Sequence, residues 1–126
     1  MLKVLLVDPN PYFIRSLRSI LSGLPELTVV GEACSLAEGR VKAQTLQPDL
    51  VLVDARTPGL ADGHRIRHLK QWLPAGKIIV LTVFDAAPYR AALVADGADE
   101  CLSKETLAED LLPTIVRLFP QEVSNG

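Results

Sequence analysis

Short apolar runs alternate with helix-length segments along the whole chain, and this alternation predicts a parallel sheet. The runs cover residues 2–7, 28–31, 50–53, 78–81 and 100–103. Brief runs rich in branched apolar residues are typical of strands that are covered on both faces. Five strands joined by helices through short loops indicate an α/β fold with helices on both sides of the sheet. We expect a flavodoxin-like, doubly wound (βα)5 arrangement with strand order 2-1-3-4-5.

The segments between the strands carry helix start and stop signals. Capping side chains are expected at four helix starts, and a fifth helix is marked by apolar residues at helical spacing. The five predicted helices run from Asn10 to about Ser22, from Ser35 to about Leu46, from Asp62 to about Trp72, from Asp85 to Gly97, and over residues 107–118. Residues 1–119 are expected to form one domain, and residues 120–126 a C-terminal tail or the start of a linker.

Composition narrows the class of protein. A chain of 126 residues with 48% hydrophobic content is large enough for one sheet-centred core. A formal charge of −2 argues against direct nucleic-acid binding, which relies on clustered Lys and Arg. Cys34 and Cys101 lack the spacing of a zinc site or a disulfide framework. No apolar stretch approaches the roughly 20 residues that cross a bilayer, so we expect no membrane contact and a cytoplasmic location with both thiols reduced.

Polar residues follow the predicted strands where a ligand is expected to bind. Asp8, Asp54 and Thr82 end three strands, and Lys104 comes directly after the last one. In doubly wound sheets, ligands bind beyond the carboxyl ends of the strands, so these four side chains should share one cleft. Two carboxylates, a hydroxyl and an ammonium suit phosphoryl transfer to a carboxylate, with Asp54 as the nucleophile. The alternatives are an Asp54 that only accepts local N–H groups and a solvated Lys104.

Four segments resemble response-regulator receiver domains of the CheY-like superfamily. They are VLLVD at residues 4–8, LVLVDARTPG at 50–59, IVLT at 79–82 and GADECLSK at 97–104, so that the resemblance covers nearly the whole chain. VVGEA at residues 29–33 is similar to the NarL/LuxR-type subset, in which a helix-turn-helix DNA-binding domain follows the receiver. The resemblance implies transcription regulation in a two-component phosphorelay, with no turnover of a separate substrate.

The resemblance also assigns roles to individual residues. Asp54 would be the phosphoacceptor, Asp8 part of the acidic pocket, Thr82 the switch hydroxyl and Lys104 the phosphate-binding lysine. Asp8, Asp54 and the backbone carbonyl of Arg56 would bind Mg²⁺. The implied partners are a sensor histidine kinase or a small phosphodonor and a DNA-binding output domain, and helix four, strand five and helix five form the surface through which receivers often dimerise.

The chain departs from the receiver pattern at three positions. Pro9 stands where the family usually has a second acidic ligand, so we expect weakened Mg²⁺ binding. Asn10 has an amide oxygen, but an N-cap role is the favoured interpretation. Cys101 replaces the usual aromatic switch residue and is interpreted as a small buried hydrophobe. Ala61 is an extra residue in the loop that follows strand three.

Several other classes of protein lack their required residues. A haloacid dehalogenase needs a second Asp where Asn10 stands, and dinucleotide or P-loop binding needs glycines where Pro9 and Pro11 stand. Cobalamin-type binding lacks its histidine in the same loop. One alternative stays open: a pseudo-receiver that serves as a protein-interaction module without phosphorylation. Pro9 and Cys101 favour that module, whereas the four polar strand-end residues favour a working phosphoryl switch.

Overall fold

The computed structural model describes residues 1–60, 65–83 and 87–123. Five strands form one parallel sheet in the order β2-β1-β3-β4-β5, which confirms the predicted fold class and strand order. The strands are β1 (Leu2–Val7), β2 (Leu27–Ala33), β3 (Leu50–Asp54), β4 (Lys77–Thr82) and β5 (Glu100–Ser103). The helices are α1 (Pro11–Leu21), α2 (Leu36–Leu46), α3 (Arg65–Gln71), α4 (Ala87–Ala95) and α5 (Leu107–Leu118).

The hydrophobic core consists of two layers, one on each face of the sheet. Successive side chains of a strand point to opposite faces, so Leu6 joins the layer beneath α1 and α5 whereas Leu5 joins the layer beneath α2 and α3. All five residues of β3 are buried, as expected for a central strand that is covered on both sides. Within the described ranges, no helix is both long enough and apolar enough to span a membrane.

Two of the predicted helix caps lie in the described residues, and both are confirmed. Asn10 Oδ1 accepts a hydrogen bond from Tyr12 N at 3.0 Å, and Ser35 Oγ accepts one from Glu38 N at 3.2 Å. These bonds satisfy N–H groups that have no partner inside the helix. Asp62 and Asp85, which were predicted to cap α3 and α4, lie outside the described residues.

The structure differs from the prediction at β2 and at the C-terminus. β2 extends to Ala33, two residues past its predicted end at residue 31. After a backbone bulge between Val4 and Leu5, the pairing with β1 continues through Glu32 to Ala33. Parallel pairing uses backbone groups, so it does not require an apolar side chain at Glu32. Near the C-terminus, Val123 is buried in the core and its N–H donates to Phe119 O at 3.0 Å. Packing therefore continues past residue 119 to residue 123.

A short 3-10 turn over Lys104–Thr106 connects β5 to α5. Ser103 Oγ accepts a hydrogen bond from Glu105 N at 3.2 Å, which fixes the chain where it leaves the sheet. Lys104 is the first residue of this turn, so its side chain starts at the carboxyl edge of the sheet.

Candidate acidic pocket

The carboxyl edge of the sheet brings together the residues that the sequence placed at strand ends. Lys104 Nζ donates a hydrogen bond to Asp8 Oδ2 at 2.9 Å and another to Asp54 Oδ2. These contacts join the residues after β1 and β5 to the last residue of β3. Thr82 is buried at the end of β4, in register with Ser103, the residue before Lys104. Lys104 is therefore ion-paired rather than a solvated lysine.

Each carboxylate is held in the same way, with one oxygen on a local backbone N–H and the other on Lys104. Asp8 Oδ1 accepts from Asn10 N at 2.8 Å, and Asp54 Oδ1 accepts from Arg56 N at 2.6 Å. Both bonds reach two residues forward, as in an Asx-turn. Asp54 therefore accepts a local N–H group and also pairs with Lys104. Asp8 has the same two kinds of contact, and in each residue they fix the orientation of the carboxylate.

The pocket is almost dry and carries excess negative charge when both carboxylates are ionised. Asp8 and Asp54 are each 1% exposed, and the Lys104 side chain is 9% exposed. Two carboxylates and one ammonium leave one uncompensated negative charge. Interactions between charges are stronger here than in water because solvent screening is small.

The two carboxyls differ in acidity. Burial raises the pKa of Asp8 above its ordinary value, and the hydrogen bond from Lys104 does not fully offset it. Burial acts in the same direction at Asp54, but the hydrogen bonds from Lys104 and from the N–H of Arg56 outweigh it and hold the pKa of Asp54 below its ordinary value. Asp54 is therefore the more acidic of the two, and as pH falls Asp8 takes up a proton first.

Arg56 contributes a second cation at the mouth of the pocket. Its Nε lies 3.8 Å from Asp54 Oδ1, and its side chain is 65% exposed. A guanidinium that is largely in water remains available to an additional anion next to Asp54. The sequence predicts a role only for the backbone carbonyl of Arg56, because a lone arginine gives no sequence signal.

The oxygen donors fit a hard divalent cation, although with few carboxylates. Among the described residues, Asp8 and Asp54 are the two buried acidic side chains, and no group of three His, Cys, Asp or Glu side chains is placed to bind a metal. Magnesium commonly uses one or two carboxylates together with waters, so Asp8 and Asp54 are ligands of a type and number that can bind it. Pro9 lies beside Asp8 without a carboxylate, and the amide oxygen of Asn10 is occupied by its N-cap bond.

Phe13 is a contact of the pocket that the sequence analysis missed. The Nζ of Lys104 lies 3.7 Å from the centroid of the Phe13 ring. Phe13 lies in the first turn of α1 and also packs against the core. Its contact with Lys104 depends on how α1 and β5 meet in space, which the spacing of apolar residues in α1 does not encode.

Beside the pocket, a cavity of about 280 Å³ is lined by Ala55, Arg56, Thr82, Val83 and Tyr89. Tyr89, on α4, is 38% exposed. Burial raises the pKa of its phenol, and the electrostatic influence of Cys101 and Asp54 adds to that rise.

Within the described residues, neither Cys34 nor Cys101 takes part in a disulfide. Cys101 is fully buried, which matches its interpretation as a small hydrophobe, and Cys34 is exposed. Ala61, the extra loop residue, lies outside the described residues.

Comparison with a family model and comparison with known sequences point to the same protein family. The family model for the response regulator receiver domain matches residues 4–116. The nitrate/nitrite response regulator protein NarL of Escherichia coli strain K12 is 32% identical over 112 residues, which are 89% of this chain and 52% of that protein. The response regulator GacA of Pseudomonas syringae pv. syringae is 30% identical over 119 residues, 94% of this chain and 56% of that protein. The chain thus spans about half the length of these relatives.

Solved structures have the same fold. A two-component response regulator of the LuxR family from Aurantimonas sp. SI85-9A1 has a TM-score of 0.87 at 24% identity, covering 98% of this chain and 88% of that one. The isolated REC domain of RcsB from Salmonella enterica serovar Typhimurium has a TM-score of 0.85 at 22% identity, covering 98% and 91%.

Proposed function

This chain belongs to the response regulator receiver domain family of two-component systems, and on that premise we propose that its acidic pocket accepts a phosphoryl group on Asp54. One observation carries the proposal: two buried carboxylates from different strands share the ammonium of Lys104. Replacing a buried ion pair by apolar residues is often neutral or stabilising. A set of three buried charges is therefore better explained by chemistry than by stability.

Asp54 is the proposed nucleophile because it is the more acidic of the two carboxyls and lies beside two cations, Lys104 and Arg56. One of its oxygens attacks the phosphorus of the donor in line and forms the new O–P bond. The bond from phosphorus to the donor breaks, and the leaving group keeps that electron pair. With an acyl phosphate the leaving group is a carboxylate, and with a phosphohistidine it is the imidazole.

The remaining side chains neutralise the charge of the transferred group. Lys104 can exchange a carboxylate partner for a phosphoryl oxygen, and the hydroxyl of Thr82 can donate to another. Receiver domains generally use Mg²⁺, which Asp8, Asp54 and the carbonyl of Arg56 would bind and which would supply two positive charges to the phosphoryl oxygens. Pro9 removes one potential ligand, so we propose weaker Mg²⁺ binding than a second carboxylate would give.

Phosphorylation would be communicated through the surface next to Thr82. None of the residues of α4 is buried, so the attachment of this helix depends on few core contacts. Movement of Thr82 towards the added charge would alter the neighbouring cavity and shift the population of α4 positions. Cys101 stands where the family usually has an aromatic switch residue, and a thiol cannot respond to this movement in the same way.

The proposed partners follow from the family. A sensor histidine kinase or a small phosphodonor would supply the phosphoryl group, and a DNA-binding output domain would respond to it. We place the chain in this signalling role and not in that of a pseudo-receiver, because an interaction module would not require Asp8 and Asp54 to be kept in a dry pocket.

Intact mass spectrometry after incubation with acetyl phosphate tests this function. We expect one phosphoryl adduct that depends on Mg²⁺, and no adduct with Asp54→Asn. Glu109→Gln is the matched control, because Glu109 is an exposed carboxylate in α5 that does not line the pocket. An adduct that persists in Asp54→Asn would place the acceptor elsewhere, and the absence of an adduct at any Mg²⁺ concentration would favour the interaction module.

A further inference from the structure

The ammonium of Lys104 has a third partner besides the two carboxylates, and this partner is an aromatic ring. Nζ lies 3.7 Å from the centroid of Phe13, well inside the roughly 6 Å range of a cation–π contact. Phe13 is on the first turns of α1 and is half-buried against the layer beneath α1 and α5. The ring therefore connects the apolar core directly to the charged pocket.

The ring of Phe13 is a partner for the third N–H donor of the Lys104 ammonium. An ammonium has three N–H donors, and two of those of Lys104 are used by Asp8 and Asp54. The Lys104 side chain is only 9% exposed, so little water is available to the third donor. A buried donor without a partner is costly, and the π face of a ring is an acceptor that an aliphatic side chain cannot provide.

We propose that Phe13 is a positioning residue that holds the Lys104 ammonium at the carboxylates through its ring face. The attraction of a cation to a π face is less directional than a hydrogen bond. Lys104 can therefore turn from a carboxylate to a phosphoryl oxygen while it keeps its contact with the ring. This second step rests on the proposed phosphorylation of Asp54, whereas the positioning itself does not.

The positioning is tested first on the unphosphorylated full chain, without any phosphodonor. The readout is hydrogen exchange of the Lys104 ammonium, followed by its nitrogen-15 NMR signal. We expect exchange to be roughly 2- to 30-fold faster in Phe13→Leu, the factor that corresponds to a lost cation–π contact. Phe13→Tyr should stay close to the wild type because it keeps the π face. Unchanged exchange in Phe13→Leu would overturn the proposal.

Packing is separated from positioning by a control on the same helix. Ile20 is also half-buried against the core and has no ring. Ile20→Val removes apolar contact from the same helix, and we expect it to leave ammonium exchange unchanged. Equal acceleration in Ile20→Val and Phe13→Leu would mean that the ring acts only through the packing of α1. Urea unfolding of each variant confirms that exchange is compared between folded proteins.

The rate of labelling by acetyl phosphate then tests the consequence for chemistry. We expect Phe13→Leu to slow labelling by roughly 2- to 30-fold and Phe13→Tyr to restore it. If the wild-type chain is not labelled, the proposed function fails while the exchange experiment still decides the role of Phe13. If labelling proceeds but Phe13→Leu matches the wild type, the positioning is irrelevant to phosphoryl transfer and the proposal is overturned in that respect.

Discussion

Removal of the ammonium in Lys104→Met should leave Asp8 and Asp54 as a buried pair of like charges. Asp8 and Asp54 are each 1% exposed, so the charges left behind are poorly screened. Loss of one partner of a buried ion pair costs about 3–5 kcal/mol. A natural domain has only about 5–15 kcal/mol of unfolding free energy. We therefore expect a drop in Tm of roughly 10–20 °C at pH 7 without added metal.

The pH dependence identifies the cause of that loss. In the wild type, the lowered pKa of Asp54 contributes stability that is present above its unfolded pKa of about 3.9 and is lost as pH falls through the folded value. The raised pKa of Asp8 acts in the opposite sense, and its contribution is lost as pH rises. Without the ammonium, repulsion and burial raise the pKa of both carboxyls, so the variant loses stability as pH rises above about 4. The difference between the two proteins should therefore be largest near pH 7 and shrink towards pH 4.

Urea unfolding followed by the fluorescence of Trp72, the single tryptophan, measures this difference at both pH values. Lys42→Met is the matched control, because Lys42 pairs with Glu38 and the two side chains are 39% and 43% exposed. Exposed pairs typically contribute about 0–1 kcal/mol. Asp8→Asn introduced into Lys104→Met should recover part of the loss by removing one of the like charges. Equal losses in the two lysine variants, or a loss that is the same at pH 4 and pH 7, would refute the reasoning.

Three further outcomes are expected. Pro9→Asp should strengthen Mg²⁺ binding by about 10-fold or more, because it adds a carboxylate beside Asp8. Calorimetric titration measures this affinity, and an unchanged value would mean that the side chain at position 9 does not face the cation. Gly59→Ala should reduce the unfolding free energy by at least about 1–2 kcal/mol in urea, since Gly59 has φ +96° and an added Cβ would lie 3.1 Å from Leu36 Cβ; a neutral result would show that the loop adjusts freely. Glu38→Gln should flatten the fall in unfolding free energy below about pH 4.3. The hydrogen bond from the N–H of Cys34 lowers the pKa of Glu38, and the stability that this bond contributes is lost as the carboxylate is protonated. An unaltered pH profile would exclude that bond.

Much of the fold was predictable because its signals are local. Apolar runs predicted β1, β3, β4 and β5 to within one or two residues, and the capping side chains of Asn10 and Ser35 predicted the starts of two helices. The sequence was less informative at β2 and at Val123, where backbone pairing and a single buried side chain extend the packed structure through residues that have no apolar pattern.

The chemistry of the pocket also followed from the sequence, because a parallel sheet collects the residues at the ends of its strands. The identities and order of Asp8, Asp54, Thr82 and Lys104 therefore sufficed to predict one acidic pocket with a lysine. Their distances, their exclusion from water and the different acidities of the two carboxyls required the folded chain, since each depends on residues that are 50 or more positions apart.

The sequence by itself determined the order of the elements, their caps and the kinds of side chain at the carboxyl edge of the sheet. Only the tertiary structure decided that one ammonium serves both Asp8 and Asp54, that the Phe13 ring lies against it and that Tyr89 lines a cavity with Thr82. The physical reason is that secondary structure and strand order follow from local patterns, whereas the direction and partner of a long side chain are set by how separate elements pack together.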